Sequence, residues 1–137
     1  MEDFKIRHIT KQDHSVLLSK WWKEWGFAPV PIDFLPETGW VVLYKKRPII
    51  AAYMYTTDSK VAWLSWFISD KSFNDREVRN EAIKMILTIA EITADGRGRN
   101  FLYVNFGAEN TSNIQSVCKD RGFKKGTITQ EMIKSWD

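Results

Sequence analysis

The run Asn105-Phe106-Gly107-Ala108-Glu109-Asn110-Thr111-Ser112-Asn113, followed by Val117-Cys118-Lys119-Asp120-Arg121-Gly122-Phe123, decides how the chain is read. Its start closes an apolar strand, Phe101 to Phe106. Asn110-Thr111-Ser112 then starts a helix, because short polar side chains bond the unpaired amides of a first turn. Ile114, Val117 and Cys118 fall on one inward face at helical spacing. Gly122 suits the C′ position at positive φ, and Phe123 the first core residue of a following strand.

Upstream, Asn74 to Glu77 reads as a capping box, and Val78, Ala82, Ile83, Met85, Ile86, Ile89 and Ala90 continue it as a long helix ending in Asp95-Gly96. Before it lie three strands, Trp40–Tyr44, Ile49–Thr57 and Val61–Ser69, joined by the turns Lys45-Lys46-Arg47-Pro48 and Asp58-Ser59-Lys60. Such short turns imply an antiparallel meander. Strict alternation places Ile50, Ala52 and Met54 opposite Ile49, Ala51 and Tyr53, and Ala62, Leu64 and Trp66 opposite Trp63 and Phe67. A sheet apolar on both sides needs helices on both faces.

The N-terminal part alternates Phe4, Ile6 and His8 as a strand. Thr10 can cap a helix from Lys11 to Trp25, whose Leu17, Leu18, Trp21, Trp22 and Trp25 recur at helical spacing before Gly26 stops it. Pro29, Pro31 and Pro36 keep the next segment irregular. Downstream, Phe123 to the C-terminus reads as two last strands around Gly126 to Gln130. The expected architecture is one α/β (α+β) domain over residues 1–137: a mixed, mostly antiparallel sheet of six to seven strands with helices on both faces.

Composition limits the function classes. Of 137 residues, 44% are apolar and seven are tryptophan, enough for a core without disulfide or metal staples. One cysteine forms no internal bridge, and no window approaches a membrane span or a secretory signal, so a cytoplasmic, non-membrane protein is expected. Twenty basic against seventeen acidic residues is a mild excess spread over several turns, a weak argument for nucleic acid. The only histidines, His8 and His14, have no companions at metal-ligand spacing, and no Gly-x-Ser-x-Gly elbow occurs.

The element order, with the Asn-loop, short helix and Gly122-Phe123 pair, resembles the GNAT (GCN5-related N-acetyltransferase) superfamily along essentially the whole chain. Trp21-Trp22, the Pro29–Pro36 loop, Gly39 and Tyr55-Thr56-Thr57-Asp58 are similar to small GNAT-like proteins of phages and bacteria. The resemblance implies transfer of an acyl group from acetyl-CoA or another acyl-CoA to an amine, on a small molecule or a protein. It also implies that the pantetheine arm enters where the third meander strand and the strand after the long helix part. That puts Phe67, Ile68 and Ser69 on one side and Asn105 with Phe106 on the other.

One departure bears on the coenzyme. The family's Arg/Gln-x-x-Gly-x-Gly/Ala turn, whose glycines let amides approach a pyrophosphate, has no counterpart here, since no glycine lies between Gly39 and Gly96. Ser72, Asn74, Arg76 and Arg79 are the groups expected to supplement a helix N-terminus as the phosphate site, against Asp70, Asp75 and Glu77. Cys118 stands where the family often has a tyrosine general acid. It is either a catalytic thiol or a small buried hydrophobe, and Asn105 is the other candidate near the reacting atoms. Trp21, Trp22 and Asp33 are candidate acceptor contacts. Trp21 and Trp22 point about 100° apart, which suggests that one lines a cleft. Two functions are therefore carried forward: an acyl-CoA-dependent N-acyltransferase, and a catalytically inactive GNAT-fold module binding a protein or nucleic acid. A homodimer through Thr127 to Trp136 is left open.

Overall fold

The computed structural model describes residues 3–107 and 112–136. The expected start of the last helix at Asn110-Thr111, and Glu109, lie outside the described residues.

Five strands form one sheet in chain order: β1 (Phe4–His8), β2 (Gly39–Tyr44), β3 (Arg47–Thr56), β4 (Val61–Ser69) and β5 (Phe101–Val104). The first four pair antiparallel, and β5 returns parallel to β4 after a crossover through a long helix. Parallel pairing requires such a crossover, because a tight turn can only reverse the chain. The helices are α1 (Ser19–Glu24), α2 (Arg76–Gly96) and α3 (Ser112–Asp120).

The chain enters α1 through a π-helical stretch, Asp13–Leu18. Thr10 starts this helix as expected: its Oγ1 accepts from the Asp13 amide at 3.1 Å, and Asp13 accepts from the Thr10 amide at 2.8 Å. Gly26, at φ 83°, ends it. Trp21 and Trp22 are both buried, at 2% and 3% exposure, which corrects the expectation that one lines a cleft. The loop after α1 wraps the helix. Val30 and Leu35 pack on the same cluster, the Val30 carbonyl lies 2.7 Å from His14 Nε2, and the His14 ring meets Trp22 edge-on. Two tryptophans 100° apart can then both be covered, one by the sheet and one by the loop.

The β2–β3 turn has two residues, Lys45 and Lys46, both at positive φ (50° and 68°), so β3 begins at Arg47 and Pro48 falls inside it. A two-residue hairpin needs this left-handed pair to match strand twist. The register jumps from Val42↔Ile50 to Leu43↔Pro48, leaving Ile49 as the extra residue of a bulge, where a proline is tolerated.

A second bulge re-sorts β4. Ile68 pairs with Ala51 and Ser65 with Tyr53, so Trp66 and Phe67 together oppose Ala52. Trp66 takes up the irregularity at φ 61°. An extra residue reverses the alternation beyond it. Phe67 therefore joins Leu64 in the cluster packed by α2 and α3, while Trp66 joins Trp21, Trp22, Val41, Ala51 and Tyr53 in the cluster packed by the first helix. This corrects the placement of Trp66 beside Leu64.

The sheet has five strands among the described residues, not six or seven. Residues 123–136 form no strand, and Ile128, Met132 and Trp136 are 85%, 92% and 86% exposed. β5 is last in the sheet order, and this segment does not pair with its outer edge. Gly122 and Phe123 otherwise sit as read: Gly122 has φ 88°, the Phe123 amide bonds the Cys118 carbonyl at 3.0 Å, and the Phe123 ring packs on the core.

Gly39 is where β2 passes closest to its neighbours. A Cβ there would lie 2.8 Å from Ile9 Cδ1 and Tyr53 Cδ1 and 3.0 Å from the Ala52 carbonyl oxygen. Overpacking of this kind costs about 1–3 kcal/mol. Gly39→Ala is expected to lower the melting temperature by roughly 3–9 °C in a thermal scan, about 3 °C per kcal/mol for a domain this size. An unchanged melting temperature would show that Ile9 and Tyr53 move aside freely.

Candidate functional site

Strands β4 and β5 pair only from Val61↔Phe101 to Leu64↔Val104, with one further bond from the Asn105 amide to the Leu64 carbonyl at 3.2 Å. Beyond Leu64, β4 stays paired with β3 while β5 ends at Val104, so the β4–β5 ladder stops just before the Trp66 bulge. Parted parallel strands with a helix N-terminus after one of them make a place where backbone groups can receive an extended ligand.

At the parting, side chains on the face away from α2 form a row. Tyr55, Trp63 and Tyr103 are register partners across β3, β4 and β5. Tyr55 and Trp63 stack with ring centroids 4.8 Å apart, and Trp63 and Tyr103 lie at 6.2 Å. Trp63 Nε1 donates to Asn105 Oδ1 at 2.6 Å. Trp66 Nε1 donates to the Tyr55 hydroxyl at 3.0 Å, which donates to the Phe34 carbonyl at 2.7 Å. The Phe34 ring meets Trp66 edge-on at 5.7 Å. Asp33, exposed, precedes Phe34 in a 3-10 turn, Ile32–Phe34.

Asn105 lies where the β4–β5 ladder ends and Asp33 is exposed next to Phe34, whereas Trp21 and Trp22 are buried beneath the loop. Ile68 is buried in that same cluster, Phe67 packs towards α2, and the Ser69 carbonyl is held by Trp25 Nε1 at 2.8 Å. The row Tyr55–Trp63–Tyr103 was missed in the sequence. The three-residue turn Asp58-Ser59-Lys60 was its available signal, since it sets Tyr55 across from Trp63.

The phosphate candidates surround the start of α2. The helix cap is Asp75, one residue later than the Asn74 of the expected box, and its carboxylate accepts from the Val78 amide at 3.2 Å. Ser72 is engaged: its hydroxyl donates to Asp70 Oδ1 at 2.7 Å and accepts from Arg47 Nη2 at 2.9 Å. Arg47 also pairs with Asp70 at 2.8 Å. Burial pushes the Asp70 carboxyl up, and hydrogen bonds from Arg47 and Ser72 outweigh it and hold the group below its ordinary range. Arg79 reaches back to the Phe73 carbonyl, and its Nε is buried without a partner among the described residues, as is Asn80 Oδ1. Asn74 and Arg76 are exposed.

Cys118 lies in the core cluster with Val117, and burial pushes its thiol up to about 11. A separate hollow of about 380 Å³ sits at the far end of β5, between Glu91, Arg99, Phe101, Arg121 and Phe123. No helix is long and apolar enough to cross a membrane, and no group of three His, Cys, Asp or Glu residues could hold a metal, among the described residues.

No family model and no curated protein sequence matches the chain. Solved structures do. A probable acetyltransferase superposes with a TM-score of 0.68 at 16% identity, over 97% of this chain and 99% of its own. The aminoglycoside acetyltransferase meta-AAC0020, from an uncultured soil metagenomic sample and in complex with trehalose, gives 0.67 at 11% identity over 98% of each chain. The aminoglycoside N-acetyltransferase AAC(6')-Iy in complex with CoA gives 0.60 at 19% identity, over 96% of this chain and 94% of its own. The chain therefore has the fold of the GNAT acetyltransferases.

With a thiol near 11, roughly one Cys118 in a thousand is ionised at pH 8. Labelling by a disulfide reagent is expected to be slow in the native protein and to accelerate with urea in step with unfolding. Fast labelling without urea would put the thiol in contact with the site.

Proposed function

We propose that residues 1–137 form one acyltransferase domain that moves an acyl group from acyl-CoA to an amine. The observation that carries the reading is that the β4–β5 ladder stops beside the Trp66 bulge in a sheet of the acetyltransferase fold. An acyl thioester lying in that parting meets the backbone of residues 65–69, where an amide can polarise the thioester carbonyl. The neutral amine nitrogen attacks the carbonyl carbon, the C–S bond breaks, and the proton shed by the nitrogen passes through solvent to the departing thiolate, giving an amide and free CoA.

The fit for the coenzyme differs between its two ends. The parted strands suit the pantetheine arm, with Phe67, Ile68 and Ser69 on one edge and Asn105 on the other. The exposed Asn74 and Arg76 suit a phosphate oxygen, whereas Ser72 is engaged by Asp70 and Arg47 and the unpartnered Arg79 Nε is buried. Against this, Asp75 places a carboxylate on the same amides a pyrophosphate would use, and no glycine opens the turn. Asn105 orients groups at the mouth. Cys118, as a catalytic acid, would have to act from within the core, so solvent is the better proton source. The same Asp75 cap favours the second reading, a silent fold that binds a protein or nucleic acid without coenzyme.

Acetyl-CoA is expected to raise the melting temperature saturably, because a ligand bound to the native state alone stabilises it by mass action. Asp75→Asn keeps a good helix cap and removes the charge. It is expected to tighten acetyl-CoA by about 5-fold, on the order of 1 kcal/mol of relieved repulsion at a partly solvated site. If neither protein shifts at millimolar acetyl-CoA, the acyltransferase reading fails and the silent fold stands.

A further inference from the structure

We infer that the acceptor is an amine carried on an aromatic group, which lies against the ring row Tyr55–Trp63–Tyr103 with its amino group at the parting of β4 and β5. The inference rests on the acyltransferase reading and names the substrate class of that site.

Four features carry it. The row crosses three strands at matched register, so its rings share one face of the sheet. That face is opposite to the one α2 covers, since Ala62, Leu64, Leu102 and Val104 pack towards α2. An acceptor on the row and a thioester in the parting would therefore approach from different sides without collision. Two of the three rings are also fixed before any ligand arrives. Trp63 is held by Asn105, and Trp66 and Tyr55 are held in a chain of hydrogen bonds ending on the Phe34 carbonyl. Fixed rings lose little freedom on binding.

The outer ring is open: Tyr103 is 50% exposed and Phe34, beside Trp66, is 42% exposed. Aromatic rings held at the surface next to a parted strand pair are a stacking surface for another flat ring. Finally, the charge at this place is small. Asp33, next to Phe34 in the chain, offers one carboxylate to an ammonium group. A compound with several ammonium groups would need several such partners, whereas a flat monoamine needs one. The selectivity should follow from rings that reward stacking and a single charge that rewards one cation.

Isothermal titration of the full chain with 2-phenylethylamine, hexylamine and kanamycin separates the terms. The expected result is that 2-phenylethylamine binds about 10-fold more tightly than either of the others, a typical margin for one stacked ring. Tyr103→Ala should remove most of that preference and Tyr103→Phe should keep it. Circular dichroism checks the fold, and Phe34→Ala, at an exposed loop ring, serves as a second variant should Tyr103→Ala unfold. Equal binding of the three amines, tighter kanamycin, or an unchanged preference in both alanine variants would overturn the inference. So would sedimentation showing a dimer that Tyr103→Ala dissociates, since a second copy would then cover the row. The coenzyme is read separately by melting temperature. An acetyl-CoA shift without aromatic preference sinks the acceptor class alone, and aromatic preference without a shift sinks acyl transfer alone.

Discussion

The left-handed backbone at Trp66 is the constraint on which the site depends. A bulky residue at positive φ is strained by about 1–3 kcal/mol and persists only where its surroundings hold it. Here the Trp66 ring is packed in the cluster around Trp21 and Trp22, and its indole N–H is bonded to Tyr55. Those contacts exist because the extra residue swings Trp66 to the first-helix side. The same turn of the chain points Phe67 at α2, so both cores gain an aromatic from one irregularity. The β4–β5 ladder ends at Leu64↔Val104, two residues before this irregularity.

The start of α2 shows the opposite economy, with side chains rather than backbone setting the field. Asp75 satisfies an amide that would otherwise be unpaired, and a carboxylate at a helix N-terminus is stabilised by the dipole. Arg47, Ser72 and Asp70 form a closed set two turns of chain earlier, and Arg47 also lies 5.2 Å over the Phe73 ring. This end of the domain is well satisfied without a ligand, which is good for stability and poor for anion binding. Arg79 is the exception, with a buried donor left over.

Much of the fold was legible because periodicity and punctuation are local. The short turns around Lys45-Lys46 and Asp58-Ser59-Lys60 fixed the meander, though the first is two residues long where four were read, and Thr10, Gly26 and Gly122 marked the helix ends. What was not legible came from non-local geometry. Nothing in Val61–Ser69 announces a bulge, since an extra residue is defined only against the partner strand, so alternation put Trp66 on the wrong side. Helical spacing alone gave Trp22 no cover, because the loop that covers it folds back from eight or more residues away. The last two strands were read from composition near Gly126. The segment leaves Ile128, Met132 and Trp136 exposed and does not pair with the open edge of β5. At the candidate site Asn105 was visible as a polar residue closing an apolar strand, whereas the ring row required the register of three strands at once.

Identities of 11–19% over nearly whole chains mean that side chains have changed almost everywhere while the backbone path has not. The two halves of the candidate site respond differently to such change. An amide presented by a bulge belongs to the path, and any residues that keep the bulge keep the amide. A pyrophosphate turn depends on absent side chains, because only glycine lets the amides come close. In this chain Asp75 occupies the helix start and no glycine opens the turn, so the side-chain half of the candidate site departs from that requirement, while the end of the β4–β5 ladder beside Trp66 belongs to the backbone path.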